Sequence, residues 1–295
     1  MFERILVPLD GSPLGEAVFT QIRRILFRKD AEILLVQAVS VPPSLEGMSE
    51  ELPVLLRVQA RVYLQRMEKL FFDQGARVRS IVRTGEAADV ILDVADQERA
   101  TLIAMSTHGR TGLSRWALGS VTERVLQASR VPVLAVRSFE ESGRQASPAE
   151  LGLEKILVPV DSTAMTLEVI GPTVELAQMF GSKVALLHVC QGEACAIPVP
   201  ELTCAYDQFR AGGIALEPLL KEGDPAQQIL ETCREQQAGL IAMTTHGRIG
   251  VGRWLMGSVT EKVLRAARVP LLIVRPAVLA SARTVGAAKE HVLGI

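Results

Sequence analysis

Apolar and polar positions fall along the chain in blocks of two kinds. Short runs such as Ile33-Leu34-Leu35-Val36 and Leu102-Ile103-Ala104-Met105 carry no polar break, the pattern of parallel strands covered on both faces. Between them lie longer stretches in which apolar residues recur at helical spacing. In the first half the pattern predicts strands near 3–9, 32–38, 77–83, 101–105 and 132–136, and helices near 13–28, 49–74, 86–97 and 119–129. Gly75, Gly85 and Gly119 punctuate these elements. Strand and helix in strict alternation imply an α/β fold, and right-handed crossovers make it a doubly wound parallel sheet of five strands.

The pattern then repeats. Thr107-His108-Gly109-Arg110 returns as Thr245-His246-Gly247-Arg248, and Gly119-Ser120-Val121-Thr122-Glu123 returns as Gly257-Ser258-Val259-Thr260-Glu261, both at an offset of 138 (246 − 108). Ile5-Leu6-Val7-Pro8-Leu9-Asp10 matches Ile156-Leu157-Val158-Pro159-Val160-Asp161 at an offset of 151. The offsets differ by 13, so the second copy is shorter between Cys190 and Gly223, where the first has its longest helical pattern. The chain is a duplication: a first domain at 1–138, a linker at 139–153, a second domain at 154–276 and an Ala-rich tail at 277–295.

Composition narrows the function. Lys and Arg total 32 against 33 Asp and Glu, and aromatic residues are 4% of 295. Neither an electrostatic nucleic-acid surface nor a set of base-stacking platforms is expected from such a chain. No apolar run is long enough to cross a bilayer. The start, Met1-Phe2-Glu3-Arg4, runs straight into a strand pattern with no cleavable leader, so the expected location is the cytoplasm, with no membrane partner. Cys190, Cys195, Cys204 and Cys233 form no C-x-x-C pair and are expected to be structural or incidental, with Cys195 and Cys204 in a loop.

Candidate chemistry lies in two segments that recur in both copies. One ends the first strand on an acid, Asp10 or Asp161; the other follows the fourth strand, from Ser106 or Thr244 to Gly119-Ser120 or Gly257-Ser258. If the strand order is 3-2-1-4-5, both meet at the switch point where open α/β sheets bind ligands. Gly109 and Gly112 permit close backbone approach, Ser120 and Thr122 offer hydroxyls, and Arg110 or Arg115 offers charge. A helix opening at Gly119-Ser120 would present free N–H groups and its positive dipole end to an anion. The same Ser-Val-Thr-Glu string also fits a plain capping box. Spacing alone leaves the two readings level.

These blocks, in this order and in both copies, closely resemble the universal stress protein family, and the chain resembles a tandem member. The resemblance implies two Rossmann-like domains of the adenine nucleotide alpha hydrolase-like kind, packed as an intrachain pseudo-dimer through the last strands, 131–136 and 269–274, with further homodimerisation of the chain possible in principle. It also implies ATP as ligand, with or without Mg2+. Members that bind ATP carry G-x2-G-x9-G-[S/T]; here the later positions are Gly109 and Gly119-Ser120, and Gly247 and Gly257-Ser258. Ser106 and Thr244 replace the first glycine. By resemblance Asp10 and Asp161, after Pro8 and Pro159, face the adenosine end. Ala38 and Val189 offer main-chain groups to adenine, and Met105 and Met243 line the pocket. Gly109, Arg110, Ser120, Val121 and Thr122 hold phosphates, as do Gly247, Arg248, Ser258, Val259 and Thr260 in the second copy.

Other residues have plainer readings. His108 and His246 are expected to pack or hydrogen-bond in the loop, His188 to be a satisfied core residue, and Trp116 and Trp254 to pack. Asp89 and Asp93 are expected to be solvated. Three functions remain: a nucleotide-binding stress or signalling protein, an adaptor of the same fold without nucleotide, and an enzyme. No G-x-x-x-x-G-K-[ST] element or kinase catalytic loop is present, which ranks catalysis last and leaves slow ATP hydrolysis as its upper limit.

Overall fold

The computed structural model describes residues 2–26, 31–40, 51–107, 118–137, 152–190, 200–245 and 256–276. The chain divides into two compact units, one built mainly from Met1–Val125 and the other mainly from Gly152–Ile295. In the first, the order is β1 (Arg4–Pro8), α1 (Pro13–Leu26), β2 (Glu32–Val39), α2 (Glu51–Phe72), β3 (Arg77–Thr84), α3 (Ala87–Gln97), β4 (Leu102–Ser106), α4 (Ser120–Ala128) and β5 (Val133–Val136). The second unit repeats it: β6 (Lys155–Val160), a 3-10 turn (Ala164–Val169) running into α5 (Ile170–Phe180), β7 (Lys183–Cys190), α6 (Pro200–Ala211), β8 (Leu216–Glu222), α7 (Pro225–Glu235), β9 (Leu240–Thr244), α8 (Ser258–Ala266) and β10 (Leu271–Val274).

Each unit has the strand order 3-2-1-4-5, β3-β2-β1-β4-β5 in the first and β8-β7-β6-β9-β10 in the second. Within each unit the strands pair in parallel: Ile5 sits beside Ile33 and Leu102, and Ile156 beside Val184 and Leu240. The first strand is central because chain growth runs through β2 and β3 on one side, then jumps back across β1 to β4. Burial follows: Ile5, Leu6 and Val7, and Ile156, Leu157 and Val158, are fully buried. The outer strands β3 and β8, each paired on one side among the described residues, are the polar ones; Arg77, Arg79 and Arg83 on β3, and Glu217, Pro218 and Lys221 on β8, make poor templates for stray pairing.

The 13-residue difference is mostly helix: α2 has 22 residues and α6 has 12. α2 is anchored by its C-terminal half, with the Phe71 ring edge-on to Phe19 at 4.6 Å and the Tyr63 hydroxyl donating to Glu16 at 3.0 Å. Local signals explain other ends. Asp224 caps α7 by accepting from Gln227 N–H at 3.0 Å ahead of Pro225, and α5 stops at Gly181 with φ of 65°.

Several expectations need correction. Cys204 lies on α6, not in a loop, and is exposed and free. Cys190 is disulfide-bonded. A disulfide needs only that two Cα atoms come within about 4.4–6.8 Å, which does not require C-x-x-C spacing. Asp89 is exposed, as expected, and also pairs with Arg124 at 2.7 Å on the surface. His188 is, as expected, a satisfied core residue, with Nδ1 3.0 Å from the Val160 carbonyl. The linker at 139–153, except for its last two residues, and the tail lie outside the described residues.

Candidate functional site

The switch point lies between β1 and β4 in one unit and β6 and β9 in the other. Asp10 stands two residues past the end of β1. Its Oδ1 accepts from Ser12 N–H at 2.9 Å and from the Ser12 hydroxyl at 2.6 Å, while Ser12 Oγ in turn accepts from Gly15 N–H at 3.1 Å. This Asx turn fixes the carboxylate at the end of the central strand. Asp161 is held alike, accepting from Thr163 N–H at 3.0 Å and its hydroxyl at 2.6 Å. Ser12 and Thr163 were not singled out from the sequence, although a hydroxyl residue two positions after the acid recurs in both copies.

Ala38 owes its position to the ladder. In a parallel sheet the N–H and C=O of one residue point to the same neighbour, and those of the next residue to the other. Val36 C=O accepts from Leu9 N–H at 2.8 Å, on the β1 side, and Val39 C=O accepts from Gly85 N–H at 3.0 Å, on the β3 side. Ala38 main-chain groups therefore turn toward β1, beyond the last β1 contact. Val189 follows suit, because Cys190 C=O accepts from Gly223 N–H at 3.1 Å and the β6 pairing ends at Val160 beside His188. Both residues are half-buried, each one position before the end of a strand whose middle is buried.

The far wall comes from β4 and α4. Thr107 N–H donates to Val136 at 2.8 Å, and Gly119 N–H donates back to Thr107 C=O at 3.1 Å, which draws the start of α4 onto the end of β4. The Thr122 hydroxyl donates to Ser106 C=O at 3.1 Å. The second unit repeats all three bonds: Thr245 to Val274 at 3.0 Å, Gly257 to Thr245 at 2.9 Å, and Thr260 to Thr244 at 2.9 Å. Thr122 and Thr260 are buried and act as tethers, while Ser120 and Ser258 are exposed. Met105 and Met243 are buried one residue before.

The capping box is not what opens α8. Gly257 is the N-cap, no side chain caps the helix, and Ser258 is already its first residue. In α4 the first intrahelical bond runs from Glu123 N–H to Gly119 C=O at 3.0 Å, which gives Gly119 the same position. The N–H groups of Ser120, Val121 and Thr122 thus have no partner within the helix, as in any first turn. A turn with a glycine cap is polarised toward an anion, with Glu123 in the first turn of α4 and Glu261 in that of α8.

The units differ at three points around this frame. Gly11, after Asp10, has φ of 80°, and its counterpart Ser162 is not among the positive-φ residues. Gly15 lies against Asp10, so that a Cβ there would stand 2.7 Å from Asp10 Oδ1; its counterpart (15 + 151) is the buried Thr166 in the 3-10 turn. Ser106 is half-buried, whereas Thr244 is buried at 7% exposure. Pro8 and Pro159 are half-buried at corresponding places. Gly109, Arg110, Gly247 and Arg248 lie outside the described residues, together with His108, Gly112, Arg115, Trp116, His246 and Trp254.

Comparison with known proteins agrees with this architecture. The model of the universal stress protein family matches residues 1–137 and 152–275. A universal stress protein of Methanocaldococcus jannaschii is 32% identical over 141 residues, covering 46% of this chain and 83% of its own length. One from Mycolicibacterium smegmatis is 22% identical over 295 residues, covering 92% of this chain and 97% of itself. In three dimensions, a universal stress protein from Archaeoglobus fulgidus superposes with a TM-score of 0.72 at 22% identity, covering 92% of this chain and 96% of that one. No described helix is long and apolar enough to cross a membrane. With one family match over each copy of the repeat, the chain belongs to the universal stress protein family, as a tandem member.

Proposed function

We propose that the first unit binds an adenine nucleotide, ATP by family resemblance, and that the chain serves as a stress-response signalling protein. One observation carries the reading: the glycine-capped start of α4, the fixed Asp10 carboxylate and the outward-turned main chain of Ala38 share one switch point. The three supply, in order, donors for phosphate, an acceptor for ribose or base, and main-chain groups for the base edge. Hydrolysis, if it accompanies binding, is expected to be slow, because the chain has no G-x-x-x-x-G-K-[ST] element.

The second unit supports the adaptor reading better. Thr244 is buried where the ATP-binding motif has its first glycine, and both small residues near the acid, Gly11 and Gly15, are replaced by Ser162 and Thr166. We therefore expect one nucleotide per chain. The tandem arrangement also supports a reading in which the two copies pair within the chain, in the manner of two single-domain subunits.

Calorimetric titration of nucleotide-stripped protein with ATP, with and without magnesium, tests this. One saturable site per chain is expected. Gly119→Val should remove it, since even a Cβ at that position comes within 3.1 Å of Thr107 C=O, while Gly257→Val should leave the stoichiometry unchanged. No heat and no thermal stabilisation at millimolar ATP would leave the adaptor reading for both units, and two equal sites would sink the asymmetry.

A further inference from the structure

The first nine residues of α2 hold no fully buried side chain, and only Leu52, Pro53 and Leu56 among them are half-buried. The buried residues of α2 are Ala60, Leu64, Met67 and Phe71, and none lies between Glu51 and Gln59. The corresponding α6 covers its sheet with 12 residues. A surplus helical segment facing water should be polar, yet Val54, Leu55, Val58 and Val62 stand 50–61% exposed. At 100° per residue these four fall within one face, opposite the buried stripe. Among the described residues of the second unit, Leu220 is the single large apolar side chain with comparable exposure. The stripe therefore belongs to neither the repeat nor the core.

The ends of the stripe carry opposite charge. Glu51 stands on the same face at its N-terminal end, and Arg66 flanks it at the other, 15 residues and about 22 Å along the helix. Such a stripe complements itself when two copies run antiparallel. With the two-fold axis at Val58, Val58 meets its own mate, Val54 meets Val62, Leu55 lies against the aliphatic stem of Arg61, and Glu51 comes within one residue of Arg66 at both ends. The apolar area is about 300 Å² per copy, within the range where exposed patches carry function and below the ~800 Å² per partner of a stable standard interface. We propose that α2 is a self-association surface through which two copies of this chain form a weak, reversible, two-fold dimer. The interface rests on the first unit alone and does not depend on what the crevice binds.

Sedimentation velocity of the full chain over a concentration series tests this. A monomer–dimer equilibrium is expected, with Val58→Asp weakening it at least ~10-fold, as loss of a central contact does, and leaving the melting temperature unchanged because Val58 is exposed. Arg66→Glu should also weaken the dimer, and adding Glu51→Arg should restore it, which a merely structural role for either residue would not do. In a Cys204→Ser background, Val58→Cys should give a disulfide-linked dimer under mild oxidation, whereas Leu70→Cys, displaced from the axis, should not. A chain that stays monomeric throughout, or a dimer unmoved by Val58→Asp, would overturn the proposal. So would dimerisation that emerges only after deletion of residues 277–295, which would assign the stripe to the tail.

Discussion

Gly15 has no room for a side chain, since a Cβ would stand 2.7 Å from Asp10 Oδ1. Gly15→Ala must move either α1 or the carboxylate. It is expected to destabilise the chain by about 1–3 kcal/mol in denaturant titration and to weaken ATP binding in the same sample. Thr122 is committed differently. Thr122→Val keeps the shape but removes the donor to Ser106 C=O, a loss of about 1 kcal/mol, and Thr260→Val should cost the second unit the same. Gln37 (37 + 151 = 188) occupies the place of His188, is buried, and leaves Oε1 without a partner. Gln37→His should therefore stabilise the first unit by about 0.5–1.5 kcal/mol, with the Leu9 carbonyl as acceptor, and thermal melts would read it. Asp10 and Gly119 were legible in the sequence because each recurs in the second copy; Gly15 was not, because its counterpart is Thr166.

At the scale of elements, the amino ends of β1, β2 and β3 are joined by charge. Glu32 accepts from Arg4 and Arg79, both at 2.8 Å, and Arg79 reaches on to Glu98 at 2.5 Å. Burial works to raise the Glu32 carboxyl, but hydrogen bonds and charge from Arg79 and Arg4 outweigh it and hold it below its ordinary 4.5. Glu98 is lowered as well, chiefly by the hydrogen bond from Arg79. Carboxyls depressed by folding bind protons less readily in the native state, so their stabilisation is complete above 4.5 and is lost as pH falls through the native values. Stability should therefore drop as pH falls below about 4.5, and Glu32→Gln should flatten that slope while lowering stability at neutral pH, as denaturation at a series of pH values would reveal. The second unit has Lys183 where the first has Glu32 (32 + 151), and pairs Lys155 with Glu217 at 3.0 Å instead. The same elements are thus joined by different charges, and the acid-sensitive network belongs to the first unit.

For the whole molecule, duplication kept the frame and released the details. The bonds from β4 to α4 and the Asx turns repeat to within about 0.2 Å between the units, while Gly11, Gly15 and the long α2 do not. That division predicts one nucleotide per chain, with Gly119→Val and Gly257→Val as unequal substitutions. It also predicts that the oligomeric state responds to the first unit alone, through Val58.

The sequence by itself determined the repeat, the order of elements and their positions to within about two residues, because parallel strands buried on both faces must be uninterrupted apolar runs and helix faces must recur at 3.6 residues. It also determined the family, through glycines and acids that recur at the ends of strands. The tertiary structure alone decided what depends on a partner distant in the chain. It set the order 3-2-1-4-5, turned Ala38 past the end of β1, committed the Thr122 hydroxyl to Ser106, and left Val54, Leu55, Val58 and Val62 of α2 exposed. A local pattern states what a residue can bury or bond; whether it does so depends on what the fold brings beside it.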